Sequence, residues 1–415
     1  MEKLPKLSKA FFINGGAGRV VCAIPALEKY ANINGGIDDD FIIISESWDE
    51  LFQASPPLRD RVYKLDHKGL FEEKLKNKEI VSPEPYRLNS YFNQKANLCQ
   101  AFDMLINDLD YIPTGIETKK PHLELNKTEQ IVGHNICNEV REVTGRDKVV
   151  VFQPFGQSVQ VEGKFIYDTS GRSFEIINVV EIIEELKKHY GVIVMSQIEI
   201  PSWQDMGIAM PKNLNLLGWS GVIKAADYFL GCDSVGQHLA VAVQTSATVV
   251  LGSTYPENIS YIDTQGHTII DLGYDKQMDR YKRNYSPIRL TMDEVTDRGN
   301  EDCMIVNPGN LKEIIKTITD NIGVGKRVEP KSPYNQSMPN VPHTSPQTPK
   351  IPKITKSGQS ITKKLLTPPK QVAGFNKPKI AKKKPIDKLV EMELNKDTKV
   401  DPSVLLEKPV KKSDS

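Results

Sequence analysis

The chain has 415 residues, a net charge of +1 and 26% charged residues, which gives room for about two domains of ~150 residues and a remainder. The near-neutral balance hides an asymmetry: residues 326–415 carry 20 Lys and Arg against 8 Asp and Glu, a net of +12 that leaves −11 on residues 1–325, so an acidic body is followed by a basic arm of the kind that favours polyanions such as nucleic acid or anionic lipid. Five scattered cysteines (Cys22, Cys99, Cys137, Cys232, Cys303) without metal-type spacing argue against a disulfide framework and a zinc site, and the lack of a long apolar run or a secretory h-region predicts a soluble cytoplasmic protein.

Residues 10–13 read as a first strand that ends in the turn Asn14-Gly15-Gly16-Ala17-Gly18, and residues 20–30 as a helix. Residues 41–44 are a continuous apolar run, as in a buried parallel strand, and residues 61–65 a weaker third strand. Residues 90–109 have helical periodicity, and the Pro- and Lys-containing stretch 112–128 reads as a crossover. A second α/β unit opens at Lys148-Val149-Val150-Val151-Phe152 and continues with a helix over 176–189 and a strand over 191–195. A polar excursion (197–213), a short strand near 214–217 and a helix over 221–226 follow. Next comes a strand at 228–231, a polar turn Asp233-Ser234-Val235-Gly236-Gln237-His238, a helix of small residues (239–243), a strand at 247–251 and the turn Gly252-Ser253-Thr254. Residues 311–322 form a last amphipathic helix, and after Gly325 the pattern stops.

Two βαβ series in tandem predict an α/β protein of two Rossmann-like domains facing across a cleft, residues 1–145 and 146–325. The remainder, 326–415, holds 13 of the 27 prolines and almost no aromatics. Such a segment cannot bury enough apolar surface to offset its ordering entropy, so a disordered Pro/Lys-rich tail is expected. Residues 387–394 and 402–407 within it are candidates for short helices formed on a partner.

In a parallel sheet the turns at the carboxyl ends of strands are where ligands bind. The helix after Asp233 points unpaired N–H groups and a positive dipole end at that crevice, which suits a phosphate. The early turn, Gly15-Gly16-Ala17-Gly18, does not make a dinucleotide fingerprint. Its third glycine position falls on Val21, and the first acid at the end of a second strand is Glu46, near thirty residues on rather than about twenty. The turn is either a tight strand-to-helix connection without a ligand or the lining of the acceptor side of the cleft.

Gly18-Arg19-Val20-Val21-Cys22-Ala23-Ile24-Pro25-Ala26-Leu27 resembles the N-terminal signature of family-nine glycosyltransferases, the ADP-heptose:lipopolysaccharide heptosyltransferase group, which runs Gly-Asp, five mostly apolar residues, Pro-Ala-Leu. Cys232-Asp233-Ser234-Val235-Gly236-Gln237-His238-Leu239-Ala240-Val241-Ala242 and Val249-Val250-Leu251-Gly252-Ser253-Thr254-Tyr255-Pro256 resemble its C-terminal signature. Phe152-Gln153-Pro154-Phe155-Gly156 stands where the family has His-Pro-Gly, Gly171-Arg172-Ser173-Phe174 where it has Lys-x-Trp, and Asp302-Cys303-Met304 echoes its Cys-Met. Spanning residues 10–322, the resemblance implies a GT-B fold, a nucleotide-sugar in the C-terminal domain, an acceptor in the N-terminal one, and metal-independent inverting transfer.

Sugar transfer from a nucleoside diphosphate requires stabilisation of the leaving diphosphate and removal of a proton from the acceptor hydroxyl. For the first, the candidates are the backbone of Val235, Gly236 and Gln237, the Arg172 guanidinium, and Ser234, Ser253 and Thr254. Asp233 either bonds the donor sugar or caps the helix, and His238 either bonds near the diphosphate or packs within its domain. For the second, the family's base candidate is the Asp after the glycine turn. Here that position is Arg19, which stays protonated and cannot act as a base. Glu46, Asp66 and His67, just past predicted strands, are the substitute candidates, with a helix-dipole charge for Glu46 and a plain exposed turn for Asp66-His67 as the non-catalytic readings. Otherwise Arg19 grips an anionic acceptor, or transfer is lost and binding persists. If the glycine turn lines the acceptor side of the cleft, Gly15, Gly16 and Gly18 are its residues.

The expected function is a glycosyltransferase that uses a nucleotide-diphosphate sugar, with no resident cofactor or metal, acting on an acceptor glycan or a modified nucleic acid. The alternative is a GT-B-fold binding or assembly protein without catalysis, tethered by its basic tail. A nucleotide-sugar epimerase would need paired acids and a His around the diphosphate, a set the sequence does not place. The tail's charge suits a polyanion through counterion release, but Ala381-Lys382-Lys383-Lys384-Pro385 has no aromatics for base stacking.

Overall fold

Runs of β-branched and aromatic residues set the framework, and most of them become strands buried on both faces, as parallel strands covered by helices require. The structure, a computed structural model, describes residues 7–34, 40–162, 165–168, 170–198, 206–259, 261–262, 264–276, 278–283 and 301–328. The expected tail lies outside the described residues from 329 onward.

The first half contains β1 (Ser8–Ile13), α1 (Ala17–Asn34), β2 (Ile42–Ser45), α2 (Glu50–Gln53), β3 (Val62–Lys64), β4 (Lys78–Val81), α3 (Asn89–Phe92) and α4 (Leu98–Ile106). Its sheet runs β3-β2-β1-β4, all parallel, with Ala10 opposite Ile42 and Ile80. The second half contains α5 (Lys127–Thr144), β5 (Val149–Gln153), the hairpin β6 (Gln160–Glu162) and β7 (Phe165–Tyr167), α6 (Ile176–Lys187), β8 (Gly191–Val194), α7 (Leu216–Ala225), β9 (Tyr228–Cys232), α8 (Val235–Ala242), β10 (Ala247–Leu251), α9 (Pro256–Ile259), β11 (His267–Asp271) and α10 (Pro308–Ile322). Its sheet runs β11-β10-β9-β5-β8, again all parallel.

Both orders are doubly wound. Numbered within each half they read 3-2-1-4 and 5-4-3-1-2, the two common Rossmann-type arrangements. Each has a point where the chain reverses direction across the sheet, between β1 and β4 in one half and between β5 and β9 in the other. The crevices at the carboxyl ends of those strand pairs are where such sheets bind ligands.

One core runs through the junction of the halves: Val20, Val21 and Ile24 of α1 pack in a cluster with Leu98 and Phe102 of α4 and with Leu239 and Ala240 of α8. A second core, with Val150, Phe152, Val179, Ile182 and Ile314, fills the space between the second sheet and helices α6 and α10.

Several elements differ from the sequence reading. The span 90–109 is two helices broken at residues 93–97, where Asn97 builds a capping box with Gln100 at 2.9 Å in both directions. No strand forms at 214–217. Asn215 caps Gly218 N at 2.8 Å instead, and the helix starts at Leu216. α8 begins at Val235, so most of the expected polar turn is helical. Helix α5 and strands β4 and β11 were not anticipated. α5 reads as polar, yet it packs so tightly on α7 that a Cβ on Gly133 would overlap the Gly221 backbone. Beside that backbone-to-backbone approach, only Ile136, Cys137 and Val140 supply the apolar face by which a helix is ordinarily recognised.

Candidate functional site

The turn after β5 and the turn after β9 meet at the second sheet's reversal point. Gln153, at the end of β5 and 6% exposed, spans them. Its Oε1 accepts the Gly236 N–H at 2.9 Å, and its Nε2 donates to Ser234 Oγ at 3.1 Å and to the Phe155 carbonyl at 3.3 Å. The Gln237 N–H donates to the Ser234 carbonyl at 3.3 Å. Two of the three amides expected at the start of α8 therefore have partners within the chain. The Val235 N–H and the Ser234 hydroxyl proton are not committed to these bonds, and both residues are half-buried. Gly236 is required for a different reason than ligand approach: a Cβ there would overlap Gln153 Oε1 and the Phe229 ring.

Asp233 is buried and ties α8 to the loop after β10. Gln237 Nε2 donates to its Oδ1 at 2.8 Å and Thr254 Oγ1 to its Oδ2 at 2.5 Å. It makes no side-chain cap on α8, whose N-cap is Ser234. Behind this loop the buried Arg283 donates to the Thr254 carbonyl at 2.5 Å, pairs with Asp271 and lies over the Tyr255 ring.

Arg172 is half-buried on the adjoining loop. Its Nε donates to Ser170 Oγ at 3.1 Å and its Nη2 to Ser158 Oγ at 3.2 Å. Ser253 N donates to the Gly171 carbonyl at 3.1 Å, which sets Arg172 beside the loop carrying Ser253 and Thr254. Asp168 organises this segment by accepting from both the N–H and the hydroxyl of Ser170 and of Ser173. Burial alone pushes the Asp168 carboxyl up, but the bonds from Ser170 and Ser173 and the charge of Arg172 outweigh it and hold it below the usual carboxylate range.

The glycine turn after β1 faces these loops. A Cβ on Gly16 would lie 3.5 Å from Gln157 Oε1, and one on Gly18 would lie 2.7 Å from His238 Cδ2. His238 is buried: its Nδ1 is 2.7 Å from Tyr261 Oη and 3.3 Å from Cys22 Sγ. Burial pushes its pKa down to about 4. It packs across the junction of the halves through Nδ1, with Nε2 turned toward the glycine turn, 3.0 Å from where a Cβ on Gly18 would lie. Gly15, exposed and at φ +89°, adopts the left-handed backbone that favours glycine.

Arg19 fills the first sheet's own reversal point. Its Nη2 donates to the Pro83 carbonyl at 2.6 Å and its Nη1 to Glu84 Oε2 at 3.3 Å, both just past β4. The guanidinium also lies over the rings of Tyr86 and Phe102, at 5.3 and 5.6 Å. Glu46 and Asp66 come together on one opening of about 660 Å³, which Trp48, Asp49, Glu50 and Lys64 also line. The Glu46 N–H reaches the Ile13 carbonyl at 3.5 Å, which puts this opening beside the glycine turn. Trp48 holds φ +66°, strained for a bulky residue. His67 is exposed, edge-on to the Tyr63 ring at 5.1 Å, and does not line that opening.

Sequence reasoning gave Gln153 a motif position but no role, and missed Ser158, Asp168, Tyr261 and Arg283. Asp168 had a legible signal, since Asp-Thr-Ser-Gly-Arg-Ser is a turn-forming run in which the Asp side chain takes the N–H two residues on. The others meet the site only through folding. Among the described residues no group of three or more His, Cys, Asp or Glu is placed to hold a metal ion. All five cysteines are free and buried. No helix among the described residues is long and apolar enough to cross a membrane.

No protein-family model and no curated protein sequence matches the chain. Solved structures do. The chain is similar to the glycosyl transferase family 9 from Veillonella parvula DSM 2008, with 10% identity and a TM-score of 0.52 over 76% of this chain and 98% of that one. It is also similar to the iron-containing dodecameric glycosyltransferase TibC from enterotoxigenic E. coli H10407, with 14% identity and a TM-score of 0.48 over 76% and 78% of the two chains. A third is the E. coli ADP-heptose lps heptosyltransferase II, with 12% identity and a TM-score of 0.48 over 75% and 99%. The first of these carries the fold: the chain is a mixed α/β protein of the GT-B type, with two parallel sheets, and resembles family-nine glycosyltransferases in architecture.

Proposed function

We propose that the protein is a glycosyltransferase that moves a sugar from a nucleoside-diphosphate donor to an acceptor hydroxyl. The observation that carries this reading is the set of half-buried polar groups at the second sheet's reversal point: Arg172, Ser158, Ser234, Ser253 and Thr254 surround the start of α8. A cation, several hydroxyls and a helix N-terminus are the groups that stabilise charge growing on a departing diphosphate. Arg172 suits the role, because two of its five N–H groups are used on Ser170 and Ser158 and the others remain for phosphate oxygens. Asp233, held by Gln237 and Thr254 through one bond to each oxygen, positions the loop and keeps acceptor lone pairs for a sugar hydroxyl.

In this proposal the first half, residues 1–145, holds the acceptor, and residues 146–325 hold the donor. Glu46 or Asp66 takes the acceptor proton from within the opening beside the glycine turn. A deprotonated carboxylate there serves a metal-independent, inverting displacement. A carrier without catalysis is the second reading, favoured by Arg19: at the family's base position it is locked against Pro83 and Glu84 and closes the crevice of the first sheet.

Thermal denaturation of the full chain with ADP-, GDP- and UDP-sugars tests donor binding, since a ligand at a hundredfold its dissociation constant adds about 2.7 kcal/mol of stability. Free nucleoside diphosphate released only on addition of an acceptor supports transfer. A stabilising donor that is never consumed supports the carrier.

A further inference from the structure

Arg172 is the cation among the groups that surround the start of α8 in the reading above, and its direction is set by another residue. We infer that Asp168 is the positioning residue of the donor site: it fixes the polarity of the Ser170–Ser158–Ser173 hydroxyls and thereby aims the free edge of Arg172 at the diphosphate. This rests on the donor site proposed above and goes further by naming the residue that makes its cation effective.

Hydrogen-bond direction fixes the arginine. A carboxylate only accepts. Ser170 Oγ and Ser173 Oγ each lie 2.5 Å from an Asp168 oxygen, so both hydroxyl protons are committed to it. Ser170 Oγ therefore acts as an acceptor toward its other neighbours, Arg172 Nε at 3.1 Å and Ser158 Oγ at 2.8 Å. The Ser158–Ser170 bond must then use the Ser158 proton, which leaves Ser158 Oγ to accept from Arg172 Nη2 at 3.2 Å. Held at Nε and Nη2, the guanidinium keeps one orientation, with Nη1 on its free side. The same logic fixes the neighbouring turn: Ser173 Oγ, its proton committed, accepts the Gly156 N–H at 2.9 Å. One carboxylate thus orders both the arginine loop and the turn after β5, the strand whose Gln153 sets the start of α8.

An amide at position 168 breaks this order without removing bulk. Its NH2 group donates and cannot take a serine proton, so one of the two hydroxyls must turn around. If Ser170 turns, its proton points at Ser158 Oγ or at Arg172 Nε, and the single hydrogen-bond direction that seats the guanidinium is lost.

The test is calorimetric titration of the full chain with inorganic pyrophosphate, which carries the shared chemistry of any nucleoside-diphosphate donor. The variants are Asp168→Asn, Arg172→Ala, the two together, and Ser170→Ala. Loss of a charge-assisted bond to the ligand predicts about a tenfold weakening for Asp168→Asn and for Arg172→Ala. The double variant should be no weaker than Arg172→Ala alone, because Asp168 acts through Arg172. Ser170→Ala, which removes the link to Nε but leaves the Asp168–Ser173 bonds, should weaken binding by a smaller factor, and it stands in should Asp168→Asn fail to fold. Unchanged affinity in Asp168→Asn and Ser170→Ala, or losses that multiply in the double variant, overturn the role of Asp168 alone. A wild-type chain that does not bind pyrophosphate overturns this role together with the donor site.

Discussion

Two buried histidines make the junction of the halves sensitive to acid, and the size of the effect follows from their surroundings. His238 is 4% exposed and His267 9% exposed, and burial lowers each pKa to about 4. His238 faces Tyr261 and Cys22, with Asp233 as the nearby charge that works against burial. His267 lies edge-on to the same Tyr261 at 5.7 Å and is disfavoured further by His238 and Lys120. The unfolded chain takes up these protons near 6.5, so between that value and about 4 it binds more protons than the folded chain, and stability falls as the pH falls. From pH 7 to pH 5 each histidine costs about 2 kcal/mol, on the order of 4 kcal/mol for the pair. Asp168, with its depressed pKa, adds its own loss only below the ordinary Asp value of about 3.9, outside this window. Urea denaturation of the full chain at pH 7, 6 and 5, with and without His238→Gln, measures the effect. The glutamine keeps a polar group in the site and removes its titration, so about half of the loss should disappear. An unchanged pH slope in His238→Gln refutes the reasoning, because it would mean the buried imidazole is not what resists protonation.

Gly236→Ala should destabilise the chain by about 1–3 kcal/mol, as overpacking does where nothing can yield. The new Cβ meets Gln153 Oε1 and the ring of Phe229, and Phe229 is fully buried; a urea midpoint equal to that of wild type would contradict this. Glu46→Gln and Asp66→Asn separate the two candidate bases: the true one should lose about 10²–10⁴-fold in kcat with donor affinity kept, the other little. Equal, small effects from both would favour the carrier reading.

The two sheets were legible as a series of apolar runs because parallel strands covered on both faces are continuously hydrophobic, as Val149–Gln153 and Ala247–Leu251 are. What escaped notice were elements whose signal lies in a partner. β4 is an edge strand with Ile80 60% exposed, and α5 is a mostly polar helix seated by a glycine contact with α7 and by Cys137 and Val140 alone in the core. The loops that bring Arg172, Ser234, Ser253 and Thr254 together were marked by their glycines and hydroxyls.

Residue type alone therefore determined the α/β class, the tandem arrangement and the loops at the strand ends, since hydrophobic period and turn chemistry are local properties. Tertiary structure alone decided how those side chains are used. It turned the Gly236 amide toward Gln153, closed Asp233 with Gln237 and Thr254, and seated Arg19 on Glu84. It also brought Glu46 and Asp66 to one opening, leaving His67 outside. A hydrogen bond is set by where its partner lies in space, and most of these partners lie tens of residues away along the chain.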